Sequence, residues 1–433
     1  MPRIIADLQI HSKYARAVSP KMVLEELDRW ASDKGINVMG TGDFTHPAWF
    51  AEIKEKLEPA EQGLYKLRAQ YKLPNMKGAL ADTRFMLTSE ISNVYTRHGK
   101  GRRVHNLIWA PSIESVEKLN MALSWVGNLK SDGRPILGLD SEELVKMCLE
   151  ADADIVVIPA HAWTPWFAVF GSMSGFDTLE ECYGEHTKYI FAVETGLSSD
   201  PVMNWRLSQL DNVAIVSNSD SHSLEKIGRE ANAFDCELSY AGIIDAIKNS
   251  IPVPRCIPRS PKGEVGKKDP KNKFLFTIEF FPEEGKYHYD GHRLCGVSWM
   301  PEETKKHGGI CTVCGRKVTV GVMNRMDALA DRPLGYTDAR RTPYKSIVPL
   351  HEVIRDALGV GKTSKKIPET YASLIKEFGS EFGILLDVPV TDIATEFPRI
   401  AEAVGRVRIG DITIVPGFDG EFGHVSVFPK TVK

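Results

Sequence analysis

Short apolar runs that end in polar tips recur along the first 250 residues, and most are followed by a stretch with apolar positions at helical spacing. Residues 3–10 alternate as a strand does, which puts Asp7, Gln9 and His11 on one face. Residues 21–34 carry Met22, Leu24, Leu27 and Trp30 near helical spacing and predict an amphipathic helix. A second strand over 37–41 delivers Asp43 and His46. A third over 84–88 ends at Glu90, and another over 104–110 contains His105. The β-branched run 154–160 leads to His161, 189–193 to Glu194, and 213–216 to Asp220 and His222. Helices are predicted over 49–57, 112–126 and 141–151, and the polar segment 58–82 takes no clear element. Strand, polar tip and helix repeat about seven times, the pattern of an α/β class chain with a parallel barrel over residues 1–250.

The pattern then breaks. Residues 251–285 read as a basic, proline-rich linker over 252–273 and a short strand over 274–281. Residues 286–322 hold His292-x2-Cys295 and Cys311-x2-Cys314, each pair followed by glycine. Two such knuckles suit one tetrahedral structural zinc, with His288 and His307 as alternative fourth ligands to His292. Residues 323–433 read as mainly helical, with a basic strand over 406–411 and a hairpin-like tail over 416–423. Gly361-Lys362-Thr363 invites a phosphate-loop reading, but that motif needs glycine where this chain has Asp356. Basic loops at 97–103 and 340–345 offer Arg97, Lys100, Arg102, Arg103, Arg340 and Arg341 to a phosphate backbone. The aromatic run Trp163, Trp166, Phe167 and Phe170 after His161 suits either a packed lid or a surface for stacking a base.

Composition changes this picture little. Apolar residues make up 42%, charged residues 26%, and the net charge is -3, so a surface that is basic all over is excluded. Seven cysteines without a framework spacing, no apolar run of membrane length and no leader-like start predict a cytoplasmic protein with no membrane association. Imidazoles and carboxylates collected at the strand ends suit zinc, manganese or iron better than magnesium. No serine or cysteine nucleophile motif and no dinucleotide fingerprint competes. Metal-assisted phosphoester hydrolysis is therefore the first reaction class to consider, with amide or deaminating hydrolysis also open.

Gln9-x-His11, Asp43-x2-His46, Glu90, His105, His161 and Asp220-x-His222, in that order, resemble the PHP (polymerase and histidinol phosphatase) domain. The resemblance implies a distorted seven-stranded (βα) barrel holding up to three metals. That family opens with His-x-His, and here Gln9 stands at the first position. Together with the two knuckles and the 416–423 tail, the whole chain resembles the endonuclease Q family. This implies a metal-dependent DNA-repair endonuclease that nicks 5′ of a deaminated base (uracil, hypoxanthine, xanthine) or an abasic site, leaving a 3′-hydroxyl and a 5′-phosphate. It implies a zinc-ribbon-like module after the barrel, damaged DNA as partner, and scope for a further replication or repair protein. It implies two or three divalent ions (zinc, manganese or magnesium) held by His11, Glu90, His105, His161, Asp220 and His222, with Gln9 a weak ligand, Asp43 and His46 further ligands or supports behind them, and Asp220, His11, Glu90 and His161 central to catalysis. Two other readings stand beside it: a histidinol-phosphatase-like enzyme acting on small molecules, and a catalytically weak DNA-binding scaffold.

Overall fold

The computed structural model describes residues 3–252 and 271–428, so most of the basic linker lies outside the described residues. Seven strands organise the first part: β1 (Ile4–Asp7), β2 (Val38–Gly40), β3 (Arg84–Arg97), β4 (Lys100–Ala110), β5 (Val156–Pro159), β6 (Ala192–Glu194) and β7 (Ala214–Val216). β1, β2 and β3 pair in parallel, as do β6 and β7. β5 adjoins β6 where the Ala162 N–H donates to Glu194 O at 3.0 Å. The chain returns to its start after β7, where Ser221 bridges Ile10 in parallel and accepts the His11 N–H at 2.9 Å.

Alternation along the strands explains the two apolar layers. Ala6, Val38, Met86, Leu107, Ile158, Ala192 and Val216, one from each strand, meet in one buried cluster. Their neighbours Ile5, Met39, Phe85, Ile108, Val157, Val193 and Ile215 join the other, against the helices. Helix α1 (Leu24–Lys34) turns Leu24, Leu27 and Ala31 inward and stops at Gly35, whose φ of 85° lets its N–H reach back to Ala31 O.

The sheet is mixed, which corrects the all-parallel expectation. β3 and β4 form one long antiparallel hairpin, and β4 pairs antiparallel with β5. The basic loop expected at 97–103 is the tip of this hairpin. Only His98 and Gly99 turn, with φ of 53° and 73°, the two positive values that a tight two-residue turn requires. The segment 58–82 contributes the short strands Leu57–Pro59 and Tyr65–Leu67, which extend the sheet from β3.

On the far side of β1 lies β8 (Ala231–Asp235), antiparallel, and then β9 (Lys273–Glu279). β9 is the short strand expected over 274–281; it joins this sheet and pairs with Tyr344–Ser346 as well. The cysteine module is built on a small hairpin, Asp290–His292 with Val297–Trp299. Its buried apolar cluster is only Val297, Trp299, Cys311 and Val318. The C-terminal part is helical, with α2 (Leu350–Leu358), α3 (Lys366–Phe378) and Pro398–Ile409 as its longer elements. Residues 406–409, expected as a basic strand, are the last turn of that third helix, and its two arginines sit where cations favour a helix C-terminus. The tail forms the expected hairpin, Thr413–Val415 against His424–Ser426.

Candidate metal centre

The polar tips converge at one mouth. Glu90 continues β3 past its parallel partner and is 1% exposed. Its Oε1 lies 2.5 Å from His105 Nδ1 and 3.3 Å from His161 Nε2. Its Oε2 lies 3.0 Å from His11 Nε2 and accepts the Gln9 amide at 2.9 Å. His11 Nε2 is also 3.2 Å from Asp220 Oδ1. Two sets of ligand atoms result, each gathered within 4.8 Å: Glu90, His105 and His161, and beside them His11, Asp220 and His222. Glu90 and His11 join the sets.

Electrostatics favour the ligating forms of His105, Glu90 and Asp220, whereas at His11 and His161 the surrounding carboxylates outweigh burial and raise the imidazole. Burial pushes His105 down to about 4, so its ring is neutral at pH 7. Burial would raise the Glu90 carboxyl, but Arg134 and His105 hold it well below its ordinary value. The Asp220 carboxyl is likewise held down, burial being outweighed by its bond to His11. Gln9 Oε1 is buried without a hydrogen-bond partner, and the buried His11 Nε2 and Asp220 Oδ1 have only ion-pair contacts with one another and with Glu90, without hydrogen-bond alignment. Orphaned acceptors among carboxylates and imidazoles are what a divalent cation satisfies, so these residues fit the metal ions that the sequence implies.

Three of these tips are held in the left-handed region, with φ of 49° at Asp43, 31° at His161 and 44° at Asp220. Non-glycine residues there are strained and persist only where neighbours fix them. His161 is fixed by its N–H on Glu194 Oε2 at 2.7 Å. Glu194 also accepts the Asn218 amide at 2.8 Å, and burial pushes it up to about 8. It therefore positions ligands rather than joining them. Asp43 accepts from the Ser12 N–H at 2.6 Å and lies 2.9 Å from His11 Nδ1, so it orients His11 from behind. A Cβ on Gly133 would sit 2.3 Å from Asp43 Oδ2, so only glycine lets the 128–135 loop close over it. His46 belongs to neither set and stacks on Tyr14 at 4.5 Å. Asp7 is not in the mouth either. It holds the 217–228 loop through the N–H groups of Ser219 at 3.0 Å and Gly228 at 2.8 Å.

Sequence reasoning missed Arg134, whose Nη1 lies 3.5 Å from Glu90 Oε1, and the anchoring role of Asn218, which donates to Glu194 and accepts the Leu8 N–H at 2.8 Å. Arg134 sits in an irregular loop and carries no local signal. Asn218 lies beside Asp220 and His222 and could have been read with them.

The cysteine module brings His292, Cys295, Cys311 and Cys314 within 4.8 Å of one another. His288 is buried against Tyr289, and His307 stacks on Trp299, so neither belongs to the cluster. In the aromatic loop, Trp163 and Phe170 are buried as a lid would be, Phe167 lies 4.8 Å from the His105 ring, and Trp166 meets Tyr287 of the module.

The basic residues divide. Arg97 is paired with Asp140 and Glu142, Arg102 with Gly175 O, Arg340 with Asp338, and the buried Arg341 with Asp211. Of the six expected DNA contacts, only the side chains of Lys100 and Arg103 make no polar bond within the protein among the described residues, and Arg103 lies over the Phe167 ring.

The whole chain superposes on the crystal structure of the lesion-specific endonuclease PfuEndoQ from Pyrococcus furiosus, with a TM-score of 0.82 and 30% identity, covering 100% of this chain and 97% of that one. The chain belongs to the endonuclease Q family. An endonuclease Q bound to a 27-mer duplex with an abasic lesion at its active site matches with the same TM-score and identity, over 98% of that chain. Residues 349–411 of this endonuclease Q relative match the model of the MJ0043 C-terminal domain. The uncharacterized protein YqxK of Bacillus subtilis is 28% identical over 98% of this chain and 100% of its own length. The uncharacterized protein MJ0043 of Methanocaldococcus jannaschii is 29% identical over 66% of this chain, a match that spans only 34% of that protein. No helix among the described residues is long and apolar enough to cross a membrane.

Proposed function

We propose that this chain is a metal-dependent DNA-repair endonuclease that hydrolyses the phosphodiester 5′ of a deaminated base or an abasic site, leaving a 3′-hydroxyl and a 5′-phosphate. The observation that carries the reading is the joined pair of three-ligand sets at one mouth, in a chain whose full length matches an endonuclease Q holding lesion-bearing duplex. The first part is read as a PHP-type barrel. His11, Asp220 and His222 hold one divalent ion, Glu90, His105 and His161 another, and the module holds a structural zinc.

Bound ions supply Lewis acidity to the phosphate and lower the pKa of water. The chain's own residues set the geometry around them. Asp43 fixes the tautomer and direction of His11, and Glu194 locks the backbone of His161. The Asp220 side chain keeps 23% of its surface exposed while that of Glu90 keeps 1%, so Asp220 faces the incoming phosphate. Arg134 adds a fixed positive charge beside Glu90. The lesion is read outside the stack, because the edge of a damaged base cannot be probed within a duplex.

The test uses a labelled duplex with one deoxyuridine and manganese or magnesium. Wild type should give one nick 5′ of the lesion. Asp220→Ala should lower the rate at least about a hundredfold. No nick at any lesion, with turnover of phosphomonoesters instead, would point to the small-molecule phosphatase.

A further inference from the structure

Arg134 is held firmly at the mouth yet makes little use of that position. The segment that carries it is pinned on both sides. The Gly133 N–H donates to Tyr14 O at 3.1 Å, the Arg134 N–H to Asp132 Oδ1 at 3.1 Å, and Pro135 O accepts the Ser92 N–H at 3.0 Å. Pro135 fixes its own φ, and Gly133 lies too close to Asp43 for a side chain. Ser92 belongs to β3, two residues after Glu90, and aligns in parallel with Ile136, so the segment delivers Arg134 to the metal ligands in a set place.

Its side chain is nearly unemployed. Nη1 stands 3.5 Å from Glu90 Oε1, beyond the about 2.7–2.9 Å of a charge-assisted bond. No second nitrogen completes the fork, and no other polar contact of this guanidinium is found among the described residues. Glu90 does not depend on it, since His105, His161, His11 and Gln9 already meet its two oxygens. Neighbouring cations are committed elsewhere: Arg229 donates to Ser219 O at 2.8 Å and Asp220 O at 3.3 Å, and Lys13 pairs with Glu52 at 2.8 Å. The carboxylates that act on Arg134 are Glu90 first, then Asp220, Asp132 and Asp43. Divalent ions on the two ligand sets would take up the charge of Glu90 and Asp220 and leave the guanidinium beside like charge. An arginine fixed in such a place needs an anion opposite it, and its planar fork matches two oxygens of a phosphate.

We propose that Arg134 is a catalytic residue that grips a non-bridging oxygen of the scissile phosphodiester and holds it more tightly as negative charge gathers on the phosphate oxygens. No bond forms to Arg134 and no proton leaves it. Without substrate the guanidinium rests against Glu90. This assignment rests on the reading of the mouth as a phosphodiesterase centre, and the test separates the two.

Arg134→Ala and Arg134→Lys are compared with wild type as full-length proteins. Single-turnover cleavage of a deoxyuridine duplex should slow by about 10²–10³-fold in Arg134→Ala, less in Arg134→Lys, and recover in part when guanidinium ion is added to Arg134→Ala. Inorganic phosphate titrated calorimetrically into the manganese-loaded protein should bind Arg134→Ala at least about tenfold more weakly than wild type. Manganese affinity of the metal-free protein should stay near that of wild type, whereas a residue that merely supported Glu90 would cost about 10–100-fold there. Wild-type cleavage and phosphate affinity in Arg134→Ala, or a loss of cleavage that follows a loss of manganese affinity, would overturn the assignment. If wild type nicks no lesion, the endonuclease reading fails by itself, and the phosphate titration still decides the role of Arg134.

Discussion

Gln9 donates its amide to the same Glu90 oxygen that His11 approaches, and its own Oε1 is left without a partner. An imidazole at this position would offer a nitrogen lone pair, whereas the amide offers a weaker carbonyl donor and saturates one carboxylate oxygen. Gln9→Ala should therefore lower divalent-metal affinity by no more than about tenfold, while Asp220→Ala should lower it far more, as calorimetric titration of the metal-free protein will show. Below the mouth, burial drives Glu279 up to about 8 and raises Glu230 as well. A carboxyl whose folded value exceeds its ordinary 4.5 keeps its proton in the native state, so the stability it contributes is full below about 4.5 and is lost as pH rises toward 8. The melting temperature of wild type relative to Glu279→Gln should therefore fall as pH rises over that window. The residues of the two three-residue sets were legible because a carboxylate or imidazole directly after a buried strand is poor core material. Arg134 was not, since it reaches Glu90 from an irregular loop, and the roles of Asp43 and His46 stayed open because spacing cannot tell a ligand from the group behind it.

Among the elements, strands and helices with clean periodicity were read closely: residues 141–151 form the helix expected, and β7 differs by a single residue. The β3–β4 hairpin was lost because charges at 97–103 suggested a loop, although the His98-Gly99 pair is a turn signal. The helix ending at Ile409 was read as a strand because Arg-Val-Arg-Ile alternates over four residues, too short a window to exclude a helical turn. The cysteine module was legible from spacing alone, and its energetics follow from its size. A four-residue apolar cluster contributes little to holding it folded, so a metal on His292, Cys295, Cys311 and Cys314 would carry its stability. Cys314→Ser should lose one zinc per chain by elemental analysis and open the module to limited proteolysis, leaving the sheet protected.

The sequence offered no signal for how the first and last parts of the chain join. Lys34, at the end of α1, is 2% exposed and meets Glu381 at 2.8 Å, and Glu381 also accepts the Tyr371 hydroxyl at 2.9 Å and the Leu350 N–H at 3.0 Å. Burial would raise Glu381, but Lys34 holds it down. Removing the cation strands a buried carboxylate, so Lys34→Ala should destabilise the protein by about 3–5 kcal/mol in denaturant titrations. Whole-molecule stability also bears on the three tips held at positive φ. Asp43, His161 and Asp220 are kept there by the body of the fold, which resists their own preferences. The chain thus carries its reaction centre as a debt against its own folding, and selection for robustness alone would erase these side chains first. A copy drifting out of service should lose this trio before it loses the sheet beneath.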